Sequence, residues 1–191
     1  MRTFILTVIL AWAGPWATAA PHLPADGYPV VVCSGNEPAW NTGSAKWRAA
    51  RIFADIGVNL QWHSWRQCPP GALQVSFSIG TPDELHPGAL AYALPYEGTH
   101  IVVFLDRVAA VFPSYTSQVL AHVLAHEITH ILQGCAHHSA TGLMKAHWAA
   151  ADFRAMTYST LPFAEEDLVL IRQHRASGSF SCRKVTTGPS R

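Results

Sequence analysis

The 191-residue sequence is poor in charged residues, and above all in lysine. Charged residues make up 13% of the chain, and lysine occurs only at Lys46, Lys145 and Lys184. The 13 Lys and Arg residues nearly balance the 12 Asp and Glu residues and form no basic run, so the sequence lacks the electrostatic signature of nucleic-acid binding. Because 49% of the residues are apolar, intrinsic disorder is also excluded. We therefore expect one globular domain that does not bind nucleic acid.

Long apolar runs are missing as well, apart from a short one at the N-terminus. Arg2 precedes an apolar stretch over residues 4–13, and the small residues Ala17, Thr18, Ala19 and Ala20 follow. This order is typical of a cleaved secretory signal peptide, and the stretch is too short to span a bilayer comfortably. We predict a signal peptide at residues 1–19, a single domain at residues 20–191, and a secreted or periplasmic protein without stable membrane association after cleavage.

Residue alternation and helical spacing predict a mixed α/β (α+β) domain. Strands are expected at residues 28–33, 58–62, 73–79, 89–94 and 100–105, and helices at residues 44–56, 116–133 and 163–175. In the first helix, Trp47, Ala50, Arg51 and Ala54 follow helical spacing. The first strand, this helix and the second strand would form a parallel crossover unit. We expect one twisted sheet backed by helices.

Cysteine is scarce, but its even count is informative for an exported chain. The four cysteines are Cys33, Cys68, Cys135 and Cys182, and two disulfides among them allow three pairings. If the first two strands are parallel neighbours, their carboxyl ends lie on the same side of the sheet. Cys33 ends the first of these strands and Cys68 follows the second. This placement favours the pair Cys33–Cys68 and leaves Cys135–Cys182.

Histidine is the residue in excess. Six of the eleven histidines lie in the segment from His122 to His147. This segment contains the pattern His126-Glu127-x-x-His130. Residues four apart project from one face of a helix, so two imidazoles can converge on one zinc ion. Glu127 lies one step around the helix, where it can reach a zinc-bound water without being a ligand. We interpret His122 as a packing or supporting residue. The apolar residues of this helix lie on the opposite arc: Leu120, Leu124, Ile128, Ile131 and Leu132.

A catalytic zinc ion needs a third protein ligand beside its open position. Gly134 can end the helix in a left-handed turn, after which the chain can fold back and present His137 or His138. Another candidate is Glu165 or Glu166, which would supply a third ligand from the last helix as in gluzincins. Acidic residues at a helix start are also explained by the helix dipole alone.

The segment from His126 to Met144 resembles the metzincin metallopeptidases. Its passage His138-Ser139-Ala140-Thr141-Gly142-Leu143-Met144 is similar to the Met-turn passage of matrixin-like members. The resemblance implies His138 as the third ligand, with His137 as the alternative, and Met144 as an apolar floor below the metal. One departure is the spacing: Gly134 and His138 lie four and eight residues after His130, where metzincins usually have three and six. The extra helical residue turns the chain exit by about 100°.

The resemblance also implies a fold and an activity. The fold would be a metzincin-like, mainly parallel sheet of about five strands with an antiparallel edge strand, backed by the zinc helix and a C-terminal helix. The activity would be that of a secreted endopeptidase with one catalytic Zn²⁺ and Glu127 as general base. A peptide or protein substrate would lie extended along residues 89–94. The rival hypothesis is a zinc-stabilised binding module without turnover. The sequence carries no signal for an oligomeric state.

Overall fold

The computed structural model describes residues 27–38, 42–85, 88–94 and 99–177. The predicted signal peptide lies outside these residues. Two short 3₁₀ turns, Trp65–Gln67 and Pro113–Tyr115, accompany the longer elements. In chain order, the strands and helices are β1 (Tyr28–Gly35), α1 (Thr42–Ala54), β2 (Val58–Ser64), β3 (Leu73–Ser78), β4 (Ala91–Ala93), β5 (His100–Phe104), α2 (Leu105–Val111), α3 (Thr116–Gln133), α4 (Ala150–Tyr158) and α5 (Glu165–Ser177).

The five strands form a single sheet in the order β2-β1-β3-β5-β4. All neighbouring strands run parallel except β4, which pairs antiparallel with β5 at the edge. The predicted fold class, a mainly parallel sheet with an antiparallel edge strand, is confirmed. In β3 the apolar Leu73, Val75 and Phe77 are buried, while the polar residues between them are half-buried. This alternation directs one face of the sheet towards the helices.

The helix α3 lies at the centre of the molecule. It packs against α1, β4, β5 and α5, and α1 also covers β2. Only Ser117, Gln118 and Leu132 of α3 escape full burial. The sequence suggests an apolar face and a separate histidine face for this helix, but both faces are buried because the C-terminal segments cover the histidines. The histidines of α3 are therefore largely buried and not part of an exposed helix face.

Two helices, α2 and α4, were not predicted. Strand β5 continues into α2 at Leu105 without an intervening turn residue, so no break in the sequence separates them. Helix α4 begins without a side-chain cap at Ala149. Instead, the carboxylate of Asp152 accepts a hydrogen bond from the Ala149 N–H at 2.7 Å, and it also binds Lys145 Nζ at 2.5 Å. Asp152 therefore fixes the start of α4 to the preceding loop.

A disulfide joins Cys33 to Cys68, with their Cα atoms 5.7 Å apart. Cys33 lies in β1, and Cys68 follows the 3₁₀ turn after β2, so the bond links the carboxyl ends of two parallel neighbours. Cys182 lies outside the described residues, and the pair Cys135–Cys182 therefore stays a prediction.

Within the described ranges, no single helix is long and apolar enough to cross a membrane. Helix α2 and the stretch Pro113–Gln133 meet the length and composition criteria only when taken together, and they are bent by 111° relative to each other.

Candidate metal centre

Three imidazoles meet at one end of α3. His126 and His130 lie one turn apart on the helix, and His138 approaches from the loop that follows it. One ring nitrogen of each lies within 4.8 Å of the others, and the Nε2 atoms of His126 and His130 are 3.0 Å apart. The ring of His138 is centred 5.3 Å from that of His126 and 4.9 Å from that of His130. In the described part of the chain, no other group of three His, Cys, Asp or Glu residues is placed to hold a metal ion.

Backbone carbonyl groups fix the orientation of the two helical imidazoles. Nδ1 of His126 donates to the Leu143 carbonyl at 2.9 Å, and Nδ1 of His130 donates to the Cys135 carbonyl at 3.3 Å. Because a carbonyl oxygen only accepts, both Nδ1 atoms carry the proton and both Nε2 atoms present a lone pair. Two lone pairs 3.0 Å apart repel each other unless a cation lies between them. This arrangement fits a zinc ion, whose histidine ligands usually donate their second N–H in this way.

A left-handed turn brings the third histidine to the helical pair. Gly134 has a φ of +66°, and its N–H donates to the His130 and Ile131 carbonyls, which ends α3. The Cys135 N–H also donates to the His130 carbonyl, at 3.2 Å. A Cβ atom at position 134 would lie 2.6 Å from His174 Nε2, so both the backbone angle and the space favour glycine here. The turn reverses the chain and allows His138 to approach.

The residue after His138 is held by a buried carboxylate. Asp167 in the first turn of α5 is 0% exposed and accepts a hydrogen bond from Ser139 Oγ at 2.5 Å. It also accepts the N–H of Ala164, the residue before α5, at 2.8 Å. This role of Asp167 was not predicted from the sequence. Its position three residues after Ala164, where a capping acid is expected, was the available signal.

Trp148 supports His126 from outside the cluster. Its Nε1–H donates to the Leu143 carbonyl at 3.2 Å, which is the same oxygen that accepts from His126. The ring of Trp148 also packs edge-on against the His126 ring, with their centroids 5.5 Å apart. Trp148 therefore limits the movement of both the imidazole and its carbonyl partner. The sequence alone did not predict this role, because it depends on the path of the loop after Met144.

Glu127 is buried beside the cluster, with 8% of its surface exposed. Burial raises the pKa of its carboxyl group to about 8, although a hydrogen bond from the Ala93 N–H of β4 opposes the shift. A cation bound by the neighbouring imidazoles would favour the charged carboxylate and so lower this pKa. Metal binding at the candidate centre would therefore change the protonation state of Glu127.

The three histidines of the cluster stay neutral at pH values well below the usual pKa of histidine. Burial lowers the pKa of His126 to about 4. It lowers the pKa of His130 to about 3, and repulsion from the imidazolium forms of His126 and His138 adds to the shift. Burial also lowers the pKa of His138, followed by the effects of His137 and His147. Since only neutral imidazole coordinates a metal, the three candidate ligands are kept in the form that can bind one.

The structure separates the other proposed third ligands from the cluster. Nε2 of His137 lies 3.9 Å from Glu166 Oε1, and Glu165 pairs with Arg172 at 3.5 Å on the exposed side of α5. None of these acidic or histidine side chains belongs to the three-histidine group.

The remaining residues of interest lie around the centre. Met144 is fully buried in the core, and its carbonyl accepts the Ser139 N–H at 2.8 Å. His122 donates through Nδ1 to the Gln118 carbonyl at 2.7 Å and accepts the Leu161 N–H at Nε2, at 3.1 Å. It therefore ties the segment before α5 to α3. His147 is exposed and lines the cleft described below.

The metal centre opens into a cleft of about 560 Å³. Edge strand β4 and the residues before it form one wall, and α3 contributes Val123, His126, Glu127 and His130. The segment from Lys145 to Trp148 and Phe153 of α4 also line the cleft. One side of β4 pairs with β5, and its other side pairs with no strand among the described residues. The cleft therefore combines a candidate metal centre, a buried carboxyl group and an unpaired strand edge.

Comparisons with known proteins identify the fold but do not assign the chain to a family. No family model matches the sequence, and no curated protein does. Among solved structures, the chain is similar to an archaemetzincin from Methanopyrus kandleri, with 13% identity, a TM-score of 0.53, and coverage of 80% of this chain and 98% of that one. It is also similar to an archaemetzincin from Archaeoglobus fulgidus in complex with malonate, with 10% identity, a TM-score of 0.51, and coverage of 74% and 99%.

These neighbours show that the chain has an archaemetzincin-like fold. The resemblance to metzincins noted from the sequence is thus supported at the level of the fold. The matrixin-like character of the passage from His138 to Met144 is not confirmed by these neighbours.

Proposed function

We propose that the chain is a zinc-dependent metalloendopeptidase. The observation that carries the proposal is the meeting of three neutral imidazoles, His126, His130 and His138, with the buried carboxyl group of Glu127 in one open cleft. All-imidazole donor sets of this kind suit zinc, and three protein ligands leave a position open for chemistry. One ion at this centre would be catalytic, and the archaemetzincin-like fold supports the same assignment.

Zinc bound there supplies a Lewis acid that polarises a carbonyl group and acidifies water. Glu127 would act as the general base: one carboxylate oxygen takes a proton from the attacking water and later delivers it to the leaving amide nitrogen. Its partner Ala93 holds the carboxylate towards β4, so the base and the unpaired strand edge are positioned together. Met144, which is buried in the core, would act only as an apolar support.

The substrate would be a peptide or protein segment in extended conformation. The free side of β4 offers backbone groups to which such a segment can add as a further strand. The apolar side chains Val123, Trp148 and Phe153 line the same cleft and would contact substrate side chains.

The protein would act in an oxidising compartment, outside the cell or in the periplasm. The Cys33–Cys68 disulfide supports this location, since such bonds persist mainly in exported proteins. The signal peptide at residues 1–19, the domain over residues 20–191 and the second disulfide, Cys135–Cys182, belong to the same proposal.

The test is to purify the mature chain, measure its zinc content and compare casein cleavage with that of Glu127→Gln. This substitution keeps the size of the side chain but removes its basicity. We expect one zinc ion per chain in both proteins, and cleavage only in the wild type. Equal cleavage by the two proteins would contradict the proposed role of Glu127, and absence of zinc from both would contradict the metal centre.

One observation favours a second candidate, a zinc-stabilised peptide-binding module without turnover. Gly134 and His138 lie four and eight residues after His130, one and two residues later than in most metzincins, so the third imidazole reaches the centre by a different path. For such a module, the wild type and Glu127→Gln would bind a casein-derived peptide with equal affinity, and neither would cut it.

A further inference from the structure

A second cavity lies at the C-terminal end of α4. We call it the arginine pocket and define it by Trp47, Arg48 and Arg51 of α1, His122 of α3, and Met156 and Tyr158 of α4. Its volume is about 200 Å³. Cavities that enclose a whole small-molecule ligand usually measure about 300 Å³ or more. The arginine pocket is therefore the size of a single side chain or small functional group.

The charge of the arginine pocket is positive and locally uncompensated. Arg48 and Arg51 line it, and no acidic residue does. In the described ranges, neither arginine forms an ion pair, although Asp55 follows Arg51 by four residues, just after the end of α1. This local excess stands out because positive and negative residues nearly balance over the whole chain. Guanidinium groups without an ion-pair partner present forked donors that match a carboxylate.

The rim of the arginine pocket is aromatic and exposed. Trp47 is 61% exposed and Tyr158 is 91% exposed, values unusual for large rings in a folded domain. The guanidinium of Arg51 lies 5.6 Å from the centre of the Trp47 ring, which holds the charge against the rim. Trp, Tyr and Arg are the residues enriched at the energetic centres of protein interfaces. A small free anion would leave both rings uncovered, whereas a polypeptide could cover them.

The base of the arginine pocket is rigid and neutral. His122 is buried there, and both of its ring nitrogens are engaged, one with the Gln118 carbonyl and the other with the Leu161 N–H. It is therefore not available as a further ligand or cation. The recognition chemistry of the pocket lies in its two arginines and two rings.

From these features, we propose that the arginine pocket binds an acidic side chain of a polypeptide partner, with Trp47 and Tyr158 packing against the partner's backbone on either side. This site lies beyond the proposed hydrolase activity and does not depend on it. The two surfaces share supporting elements: α4 presents Phe153 to the cleft and Tyr158 to the pocket, and α3 presents His126 to the cleft and His122 to the pocket.

The experiment measures binding rather than cleavage. A fluorescein-labelled peptide of four glutamates between glycines is titrated with the full chain carrying Glu127→Gln, and anisotropy is followed. The matched probe has four glutamines in place of the glutamates. We expect the glutamate peptide to bind at least about tenfold more tightly, since the arginines recognise charge and carboxylate geometry.

Variants locate the binding. Arg48→Gln and Arg51→Gln should each weaken binding of the glutamate peptide about tenfold, whereas Arg66→Gln, which removes the same charge from an exposed 3₁₀ turn, should change it less than about twofold. Arg51→Lys keeps the charge but loses the fork, so an intermediate loss is expected. Circular dichroism verifies that each variant is folded.

Three outcomes would overturn the proposal. If the glutamate and glutamine peptides bound with equal affinity, the carboxylates would play no part in recognition. If Arg66→Gln weakened binding as much as Arg48→Gln or Arg51→Gln, the peptide would be attracted only by the overall positive charge of the surface. Displacement of the peptide by inorganic phosphate at the peptide's own concentration would assign the pocket to a small anion instead of a polypeptide side chain.

Discussion

The raised pKa of Glu127 predicts how the stability of the metal-free protein depends on pH. The folded-state pKa is about 8, against an ordinary value of 4.5 in the unfolded chain. Between these values the folded protein binds one more proton than the unfolded chain, so the free energy of unfolding must decrease as the pH rises. The decrease should approach about 1.4 kcal/mol per pH unit, and from about pH 5 to pH 8 it should reach roughly 3.5 kcal/mol.

The substitution Glu127→Gln isolates this contribution. Glutamine can still accept the Ala93 hydrogen bond but has no charge to bury. The buried histidines, whose lowered pKa values reduce stability below about pH 6.5, are common to both proteins and cancel in the difference. Urea unfolding in the presence of a chelator, followed by circular dichroism at several pH values, gives the two free energies.

We expect Glu127→Gln to gain stability relative to the wild type as the pH rises, with Glu84→Gln, at an exposed loop position, as the matched control. Parallel pH curves for the wild type and Glu127→Gln would refute the reasoning, because they would mean that Glu127 is not buried as a neutral acid. Adding zinc should flatten the wild-type curve, since a cation between the imidazoles lowers the pKa of Glu127.

Three further predictions concern the metal centre and the fold. His138→Ala should lose bound zinc under chelator challenge, whereas His137→Ala should retain it; elemental analysis of the dialysed proteins distinguishes the two, and the reverse result would assign the ligand to His137. Trp148→Phe keeps the ring contact but removes one donor from the Leu143 carbonyl, so zinc affinity should fall about tenfold, as measured by competition with a chromophoric chelator. An unchanged affinity would show that the indole does not position His126. Replacing Cys33 and Cys68 together by Ser removes a disulfide between residues 35 positions apart. It should lower the free energy of unfolding, measured in urea, by about 4 kcal/mol. A decrease of less than about 1 kcal/mol would contradict the constraint expected of the disulfide.

The fold could largely be predicted because its strands have characteristic residue patterns. Strand β3 alternates apolar and polar residues, and β5 is a run of apolar and branched residues, so their positions follow from local preference. The first helix shows the limit of the same argument. Trp47 lies at helical spacing, but the buried side of α1 consists of Ala45, Ala49, Ile52 and Phe53. Spacing predicted the helix, whereas the choice of its buried face depended on its packing against α3.

The candidate site divides in the same way. The spacing of His126, Glu127 and His130 is a local property, so the pattern alone indicates their convergence. The supporting residues are not local: Asp167 lies 28 residues from Ser139, and Ala93 lies on a strand that precedes Glu127 by 34 residues. Their approach depends on how the C-terminal segments and the edge strand pack onto α3, which no short window of sequence encodes.

The buried carboxylate of Asp167 has a consequence for biosynthesis. During translation, His126, His130 and His138 emerge from the ribosome before Leu161 and Asp167, which tie the C-terminal segment to α3 and to the loop after it. Domains generally fold as units during or after synthesis, with N-terminal parts emerging first. A nascent chain therefore contains all three imidazoles before it contains the groups that hold them in place. From the order of synthesis we expect the candidate metal centre to be completed only after the last helix has emerged. A chain shortened before α5 would carry all three candidate ligands but lack the Asp167 contacts that hold the residue after His138.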